Sequence, residues 1–389
     1  MTDAMRFETA AIHAGQEPDE ATGAAVVPIY QTSTYVQEAV GRHRGYEYSR
    51  TDNPTRRAVE TCLAALEGAR FALAFASGMA AIATLALALG ERRKVVIPDD
   101  GYGGTYRLFD KVMTEFGVPY EMADLSDETA LAKALGDGAG LVLAESPTNP
   151  LLRVLDLSMI AARAHEAGAL FVVDNTFATP FLQRPLELGA DTVVYSATKY
   201  LGGHSDLVMG AVTTSDESLA ERLKFLQNAI GAVPGPFDSW LLLRGLKTLA
   251  VRMRAHCAGA AVVAHWLTQH PEVTHVGYPG LETDPGHTLA AAQMNAAGSA
   301  LYGGMVSVEL ASESRALQVC ERTRLFFLGE SLGGVESLIE HPARMTHASL
   351  EGSGVELSPG LLRLSVGIEH PDDLIADLEQ ALAPTSSGR

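Results

Sequence analysis

The feature that most constrains the fold is an alternation of short apolar runs with segments of helical periodicity between residues 71 and 214. The apolar runs are rich in valine, leucine and phenylalanine, which is typical of strands buried on both faces. Strands that alternate with helices in this way form a mostly parallel sheet with helices on both faces, so we expect an α/β fold. The predicted strands cover residues 71–75, 95–97, 141–144, 170–174, 193–195 and 207–214.

Two polar residues stand at the carboxyl ends of neighbouring predicted strands. Asp174 ends one apolar run, and Lys199 follows the next one, close to Ser196 and Thr198. In a parallel sheet both side chains face one crevice, where ligands of open α/β folds bind. A partly desolvated lysine forms a Schiff base with an aldehyde, and a carboxylate keeps a pyridine nitrogen protonated, so the pair suits pyridoxal phosphate. A lone lysine at a strand end is more often simply solvated, and the local sequence leaves that alternative open.

Two further segments could bind an anionic or an aromatic ligand. Ser77, Gly78 and Met79 lie between a predicted strand and an apolar helix, where free N–H groups and the helix dipole attract phosphate. A plain N-cap at Ser77 explains this segment equally well. Tyr102 stands in a glycine-rich loop, where its ring could stack on a ligand or simply pack. Tyr106 occupies the place of the third glycine of a dinucleotide fingerprint, which counts against a nicotinamide dehydrogenase.

The organisation along the chain suggests an arm and two domains. Residues 1–55 are rich in turn formers and are predicted to form an amino-terminal arm that wraps a neighbour. Residues 56–245 are predicted to form the α/β domain and 246–389 a smaller α+β domain, with a long helix over 238–269 beside the boundary. Arg363 alternates with leucines on a predicted strand, and an inward orientation would let it bind a substrate carboxylate.

Composition excludes several classes of function. The chain has 389 residues and a formal net charge of −18, so nucleic acid is not expected as a partner. No signal peptide is visible, and the most apolar run, residues 80–89, is too short to span a membrane. Three scattered cysteines suggest buried thiols in a reducing compartment, so we expect a cytoplasmic protein that does not bind a membrane. The histidines lack paired zinc-like spacing, so no metal site is predicted.

Taken together, ordered motifs along nearly the whole chain resemble the Cys/Met-metabolism enzymes of the transsulfuration group, which depend on pyridoxal phosphate. The resemblance implies their fold, the type I fold of pyridoxal-phosphate-dependent transferases. The motifs are Tyr48-Ser49-Arg50, Asn53-Pro54-Thr55-Arg56, Ser77-Gly78-Met79, Asp100-Gly101-Tyr102-Gly103-Gly104-Thr105, Ser146-Pro147-Thr148-Asn149-Pro150, Asp174-Asn175-Thr176, Ser196-Ala197-Thr198-Lys199, Gly203-His204-Ser205-Asp206, Ser331-Leu332-Gly333-Gly334-Val335-Glu336-Ser337 and Arg363-Leu364-Ser365-Val366-Gly367.

The resemblance also implies roles for individual residues. Lys199 would hold the cofactor covalently and then act as the base at the substrate α-carbon, while Tyr102 would stack on the ring and move a proton. Asp174 would hold the pyridine nitrogen. The residues implied for the cofactor phosphate are Gly78, Met79, Ser196 and Thr198, together with Tyr48 and Arg50 acting on a neighbouring subunit. The residues implied for the substrate are Asn149, Ser331 and Arg363 at its carboxylate and Arg107 and Glu330 at its distal end.

The implied assembly is a homotetramer in which subunits share active sites, and the implied substrate is a small amino acid. Among the family's reactions we expect a cystathionine γ-lyase, because the run at residues 225–234 is similar to lyases. A cystathionine γ-synthase is the alternative, supported by residues 106–110 and 337–339, and a non-catalytic cofactor-binding regulator is a third. Gly104 stands where methionine γ-lyases carry cysteine, which argues against that activity.

Overall fold

The computed structural model describes residues 5–89, 93–136, 138–296, 298–347 and 357–384. Two β-sheets organise these residues, a large one in the first two thirds of the chain and a small one in the last third. The strands of the large sheet are β1 (Phe71–Phe75), β2 (Lys94–Pro98), β3 (Tyr120–Ala123), β4 (Ala139–Glu145), β5 (Leu170–Asp174), β6 (Thr192–Ser196) and β7 (Gly210–Thr214). The strands of the small sheet are β8 (Val273–Gly277), β9 (Met305–Leu310), β10 (Phe327–Leu328), β11 (Leu338–Glu340) and β12 (Leu361–Ser365).

The helices connect and cover these strands. The α-helices are α1 (Phe7–His13), α2 (Pro54–Glu67), α3 (Gly78–Ala88), α4 (Gly103–Leu108), α5 (Glu128–Leu135), α6 (Leu157–Glu166), α7 (Thr179–Leu182), α8 (Glu217–Ile230), α9 (Pro236–Leu246), α10 (Leu249–Leu267), α11 (His287–Gln293), α12 (Glu313–Arg322) and α13 (Pro371–Leu382). A π-helical segment, Phe109–Met113, extends α4, and short 3₁₀ helices cover Pro185–Leu188 and Pro342–Arg344.

The large sheet has the mostly parallel arrangement that the sequence predicts. Its spatial order is β1, β7, β6, β5, β4, β2, β3, and only β7 runs antiparallel to its neighbours. Successive residues of β5 point to opposite faces, so Val172 packs with α3 and α8 while Phe171 and Val173 pack with α5 and α6. Both faces are therefore covered by helices, which explains why the strands are apolar at nearly every position. The α/β fold class is confirmed.

The small sheet has the order β10, β11, β12, β9, β8 and is antiparallel except for the β10–β11 pair. One face packs on α10, α12 and α13 through a separate hydrophobic core that includes Val263, Val319 and Leu378. The helix α10, the longest of the described helices, contributes several residues to that core. Ala290 of α11 is buried in a different core, which includes Phe181 of α7 and Leu242 of α9.

One helix was not predicted from the sequence, and one prediction of local structure was wrong. The arm contains a helix, α1, whose Ala10 and Ala11 are buried against α2, although its sequence lacks clear periodicity. The single helix predicted over 238–269 is two helices, α9 and α10, separated at residues 247–248. Near the break, Gly245 approaches the Gly202 backbone closely, and its carbonyl accepts from the Arg252 guanidinium at 2.8 Å and from the Thr248 N–H at 3.1 Å. The domain limits at residues 55 and 245 stay predictions.

Within the described part of the chain, no helix is long and apolar enough to cross a membrane. Nor do those residues contain a group of three or more histidine, cysteine, aspartate or glutamate side chains that could hold a metal ion. The cysteines Cys62, Cys257 and Cys320 are buried, unpaired thiols.

Candidate active site

A cavity of about 280 Å³ opens at the carboxyl ends of β4, β5 and β6, and the small sheet closes its other side. The first sheet contributes the residues expected to hold a cofactor, and the second contributes the residues expected to hold a substrate carboxylate. The predicted site residues that line it are Gly78, Met79, Tyr102, Asn149, Asp174, Ser196, Thr198, Lys199, Glu330, Ser331 and Arg363. Tyr48, Arg50 and Arg107 do not line it.

Lys199 lies in this cavity just after β6, where its amine is largely removed from water. Its Nζ donates a hydrogen bond to Ser331 Oγ at 2.7 Å. Burial and, to a smaller extent, the positive charge of Arg363 lower the pKa of the Lys199 amine from 10.5 to about 8, while the negative charges of Glu340 and Glu330 oppose them. An appreciable fraction of the amine is therefore neutral near pH 7, as a nucleophile or a base requires.

Two carboxyl groups stand side by side on the floor of the cavity, at the ends of β4 and β5. Glu145 and Asp174 are direct partners in the register of these strands, and both line the cavity. Burial raises the pKa of both carboxyls, and the charge of Asp174 raises that of Glu145 further. Asp174 Oδ1 accepts the backbone N–H of Thr176 at 3.0 Å, which favours its ionised form. Asp174 is thus suited to hold the pyridine nitrogen.

An anion-binding cradle lies across the cavity from the carboxyls, at the amino terminus of α3. Ser77 caps this helix by accepting the N–H of Ala80 at 3.0 Å. The first N–H groups of a helix have no acceptor within it, and here they belong to Gly78 and Met79. A Cβ at Gly78 would come within 3.1 Å of Ser196, so glycine lets the two segments close together. Ser196 and Thr198 complete the lining on the opposite side. Backbone donors and hydroxyls at a helix amino terminus are the usual ligands of a phosphate.

The side of the cavity formed by the small sheet is built around Arg363, which β12 holds almost completely buried at 2% exposure. Its Nη1 donates to Asn149 Oδ1 at 2.8 Å and its Nη2 to the Ser331 carbonyl at 2.9 Å. Its Nε is buried without a hydrogen-bond partner. A buried, unpaired N–H of a guanidinium is costly unless an acceptor satisfies it, and a ligand carboxylate would do so.

Tyr102 forms part of the cavity wall in the loop that leads into α4. Its backbone N–H donates to Glu145 Oε2 at 3.0 Å, which ties the loop to the cavity floor. Burial raises the pKa of its phenol, while the positive charge of Arg107 opposes that effect and the negative charge of Glu330 adds to it. Glu330 lines the rim and is exposed, and Arg107 is exposed outside the cavity.

Tyr48 and Arg50 lie away from the cavity of their own chain. Both side chains are exposed, with the Arg50 guanidinium 5.5 Å from the centre of the Tyr48 ring. Arg50 Nη1 also donates to the Asn228 carbonyl at 2.6 Å, so the pair is anchored near the end of α8. This placement leaves the two side chains free to face a second copy of the chain, and their role there stays a prediction.

Several lining residues were not predicted from the sequence. They are the polar residues Glu145, Thr176 and Thr346 and the apolar residues Ile82, Phe177 and Val208, and the sequence also did not predict Glu340, which lies behind Arg363 without lining the cavity. Glu145 had a detectable signal, since it ends an apolar run just as Asp174 does. Glu340 and Thr346 had none, because their approach to the cavity depends on the pairing of β11 with β12.

The donor set fits pyridoxal phosphate: an amine with a lowered pKa, a buried carboxylate on the same side, and a phosphate cradle across the cavity. The fold and the cavity thus define an enzyme of the pyridoxal-phosphate-dependent class. A family model, described as Cys/Met metabolism PLP-dependent enzyme, matches residues 8–383. The chain belongs to this family, and the predicted family and cofactor are confirmed.

Comparison with individual proteins gives the same result. The cystathionine gamma-synthase of Mycobacterium tuberculosis strain ATCC 25618 / H37Rv is 55% identical over 377 residues, which cover 96% of each chain. The cystathionine beta-lyase of Coxiella burnetii is 52% identical over 382 residues, or 97% of each chain. The crystal structure of a cystathionine gamma-lyase from Lactobacillus plantarum, complexed with L-serine, has a TM-score of 0.91 and 44% identity, covering 97% of this chain and 98% of that one.

Proposed function

We propose that the chain is a transsulfuration enzyme that acts at the γ-carbon of an amino-acid substrate, forming or breaking the Cγ–S bond of cystathionine. The observation that supports this most is the arrangement of two groups in one cavity. Lys199 has an amine with a pKa near 8, and Arg363 has a buried N–H without an acceptor. The first suits a base at the substrate α-carbon, and the second suits the substrate α-carboxylate.

Each residue has a role that follows from its position. Arg363 and Asn149 would bind the substrate carboxylate, and this fixes the α-carbon relative to the amine of Lys199. Ser331 accepts the hydrogen bond of Lys199 and so orients that amine. Asp174 would keep the ring nitrogen of the cofactor protonated, and the cradle of Gly78, Met79, Ser196 and Thr198 would hold its phosphate.

When bound, pyridoxal phosphate supplies an electron sink that makes the substrate α-proton acidic. Lys199 would remove that proton, and the same amine would assist removal of a β-proton. Tyr102 keeps its phenolic proton at neutral pH because burial raises its pKa, so it would donate a proton to the departing group on the γ-carbon. Glu330 and Arg107 would contact the distal end of the substrate.

Formation of cystathionine from an acylated homoserine and cysteine is the first candidate, supported by the name and 55% identity of the mycobacterial relative. Cleavage of cystathionine to cysteine, 2-oxobutyrate and ammonia, the reaction expected from the sequence, is the second. It is supported by the likeness of residues 225–234 to lyases and by the 44% identity to the named gamma-lyase. The two reactions share the loss of the γ-substituent and differ in what replaces it.

The test is an assay that resolves products. The purified holoenzyme is given an acylated homoserine with L-cysteine in one tube and L-cystathionine in another, and a Lys199→Ala variant is the control. Cystathionine in the first tube identifies the synthase, and 2-oxobutyrate with cysteine in the second identifies the γ-lyase. Homocysteine with pyruvate in the second tube would mean β-cleavage, and this outcome or equal activity of the variant would refute the proposal.

We further propose that the active unit is a homotetramer built from dimers, with Tyr48 and Arg50 contacting the phosphate in the neighbouring subunit's cavity. The exposed side chains of the arm support this, because Val36 and Val40 are almost fully exposed in the single chain. The unpaired, buried cysteines support a reducing compartment, the cytoplasm. Light scattering tests the assembly, since a fully active monomer would contradict the shared site.

A further inference from the structure

Glu340 lies directly behind the guanidinium of Arg363, on the side away from the cavity. The two residues are partners in the register of β11 and β12, and both are nearly inaccessible to solvent, at 1% and 2% exposure. Glu340 Oε2 is 2.9 Å from Arg363 Nη2. The guanidinium that would bind the substrate carboxylate therefore already has a carboxylate partner within the protein.

Substrate binding changes the charge balance of this buried region. One guanidinium would then face two carboxylates, that of Glu340 from behind and that of the substrate from the cavity. The other charged or titratable groups that act on Glu340 are Lys199 and Glu330 from the cavity, His347 through Thr346, and the Cys320 thiol. Glu330 raises the pKa of Glu340 and Lys199 lowers it, so the charges of these two groups oppose each other and do not compensate for a second anion. Placing like charges close together in a buried site favours protonation of one of them.

From this geometry we propose that Glu340 is an internal counterion that competes with the substrate carboxylate for Arg363 and takes up one proton when the substrate binds. The inference rests on the proposed role of Arg363 as the carboxylate anchor. It makes Glu340 a positioning residue that sets the affinity for carboxylates, and it predicts tighter binding as the pH falls. The proton comes from solvent and forms an O–H bond on Glu340, without any other covalent change.

The hydrogen bonds around Glu340 can accommodate that proton. Thr346 Oγ1 lies 2.8 Å from both Glu340 Oε1 and His347 Nδ1. Burial lowers the pKa of His347 to about 4, and its Nε2 lies 3.1 Å from the Asn149 carbonyl, so the neutral ring carries its proton on Nε2 and accepts at Nδ1. Ionised Glu340 accepts from Thr346, whereas protonated Glu340 donates to Thr346, which then donates to His347. Burial also raises the pKa of Glu340, which makes the protonated form accessible.

The test uses butanoate, a carboxylate without an amine, so that it probes Arg363 without reacting with the cofactor. Its inhibition constant and its dissociation constant by calorimetry are measured on the holoenzyme between pH 6 and 9. The variants are Glu340→Gln, which keeps the shape and the contact with Thr346, and Glu309→Gln on β9 as a matched control away from the cavity. Calorimetry in buffers with different ionisation enthalpies reports proton uptake directly.

We expect Glu340→Gln to bind butanoate about tenfold more tightly than the wild type at pH 8.5, which corresponds to a pKa change of one unit on Glu340. The sign follows from linkage: around the pKa of Glu340 the bound state holds more protons than the free state, by up to about half a proton for a one-unit pKa difference. Wild-type affinity therefore rises as the pH falls, and the ratio of the two dissociation constants approaches one. Proton uptake should vanish in Glu340→Gln and persist in Glu309→Gln. In steady-state kinetics the change should appear in KM and leave kcat nearly unaltered.

Weaker or unchanged binding of butanoate by Glu340→Gln would overturn the inference. If Glu340 only orients Arg363, Glu340→Gln will bind butanoate no better or more weakly, and the pH dependence will survive the substitution. An Arg363→Ala variant distinguishes this failure from failure of the anchor itself. Loss of butanoate binding in Arg363→Ala would support the role of Arg363 as the carboxylate anchor, whereas unchanged binding in that variant would refute this role.

Discussion

The lowered pKa of Lys199 makes a quantitative prediction about the reactivity of its amine in the cofactor-free enzyme. With a pKa of about 8, roughly a tenth of the amine is neutral at pH 7. With the ordinary value of 10.5, only about one amine in three thousand would be neutral. The structure therefore predicts an amine about 300 times more available at pH 7 than an ordinary lysine.

The assay is acylation of the cofactor-free enzyme by an amine-specific reagent, read at single residues by mass spectrometry. Decay of the reagent is measured separately at each pH, and the rate constant at Lys199 is corrected for it. We expect the rate constant at Lys199 to rise about tenfold for each pH unit below 8 and to level off above it. Continued rise beyond pH 10 would refute the argument that burial controls this amine.

The Arg363→Gln variant separates the two causes of the lowered pKa. Burial is the larger cause and the charge of Arg363 the second, so the variant should move the midpoint upward while leaving it below 10.5. A midpoint that does not move would mean that solvent screens the two cations from each other. A midpoint at 10.5 would mean that burial contributes nothing.

Three further predictions concern binding, stability and assembly. Arg363→Lys should raise KM by about 10- to 100-fold with a smaller effect on kcat, because lysine cannot form the paired hydrogen bonds of the guanidinium, as steady-state kinetics will show. Asp377→Ala should lower the free energy of unfolding by about 2–4 kcal/mol in denaturant titrations, because the carboxylate accepts three successive backbone N–H groups before β10, the last of them buried. Mixing inactive Arg50→Ala and Lys199→Ala chains after partial unfolding should restore about a quarter of wild-type activity if sites are shared, and none if they are not.

The sequence was enough to predict which residues meet at one side of the cavity, because these residues follow directly from the strands. Asp174 and Lys199 each stand at the end of an apolar run, and parallel strands bring their carboxyl ends together without any knowledge of loops. Gly78 and Met79 follow a strand and open a helix, which is also a local pattern. In each case the place of the residue at the end of its own strand or helix determines its position at the cavity.

The residues behind the cavity could not be predicted in this way, because their contacts join distant parts of the chain. Glu340 meets Arg363 only through the register of β11 and β12. The close approach of Gly245 to Gly202, near the break between α9 and α10, also joins distant parts of the chain. Such approaches leave no periodic signal, since one glycine or one glutamate is compatible with many structures.

Ser331 forms hydrogen bonds with Lys199 on one side of the cavity and with Arg363 on the other, and its backbone conformation is strained. Its Oγ accepts from Lys199 Nζ, and its carbonyl accepts from Arg363 Nη2 at 2.9 Å. Its φ is +109°, a conformation that favours glycine and costs a residue with a side chain about 1–3 kcal/mol. Serine at this position is therefore a compromise between a stable backbone and a hydroxyl beside the amine.

A matched pair of variants measures both sides of that compromise. Ser331→Gly removes the hydroxyl and relieves the backbone, whereas Ser331→Ala removes the hydroxyl and keeps the strain. We expect Ser331→Gly to unfold with a free energy at least about 1 kcal/mol above that of Ser331→Ala in denaturant titrations. Both should lose about tenfold in kcat, because the free amine is no longer oriented. Wild-type kcat in Ser331→Gly would show that the hydroxyl has no part in catalysis, and the strained conformation would then need another explanation.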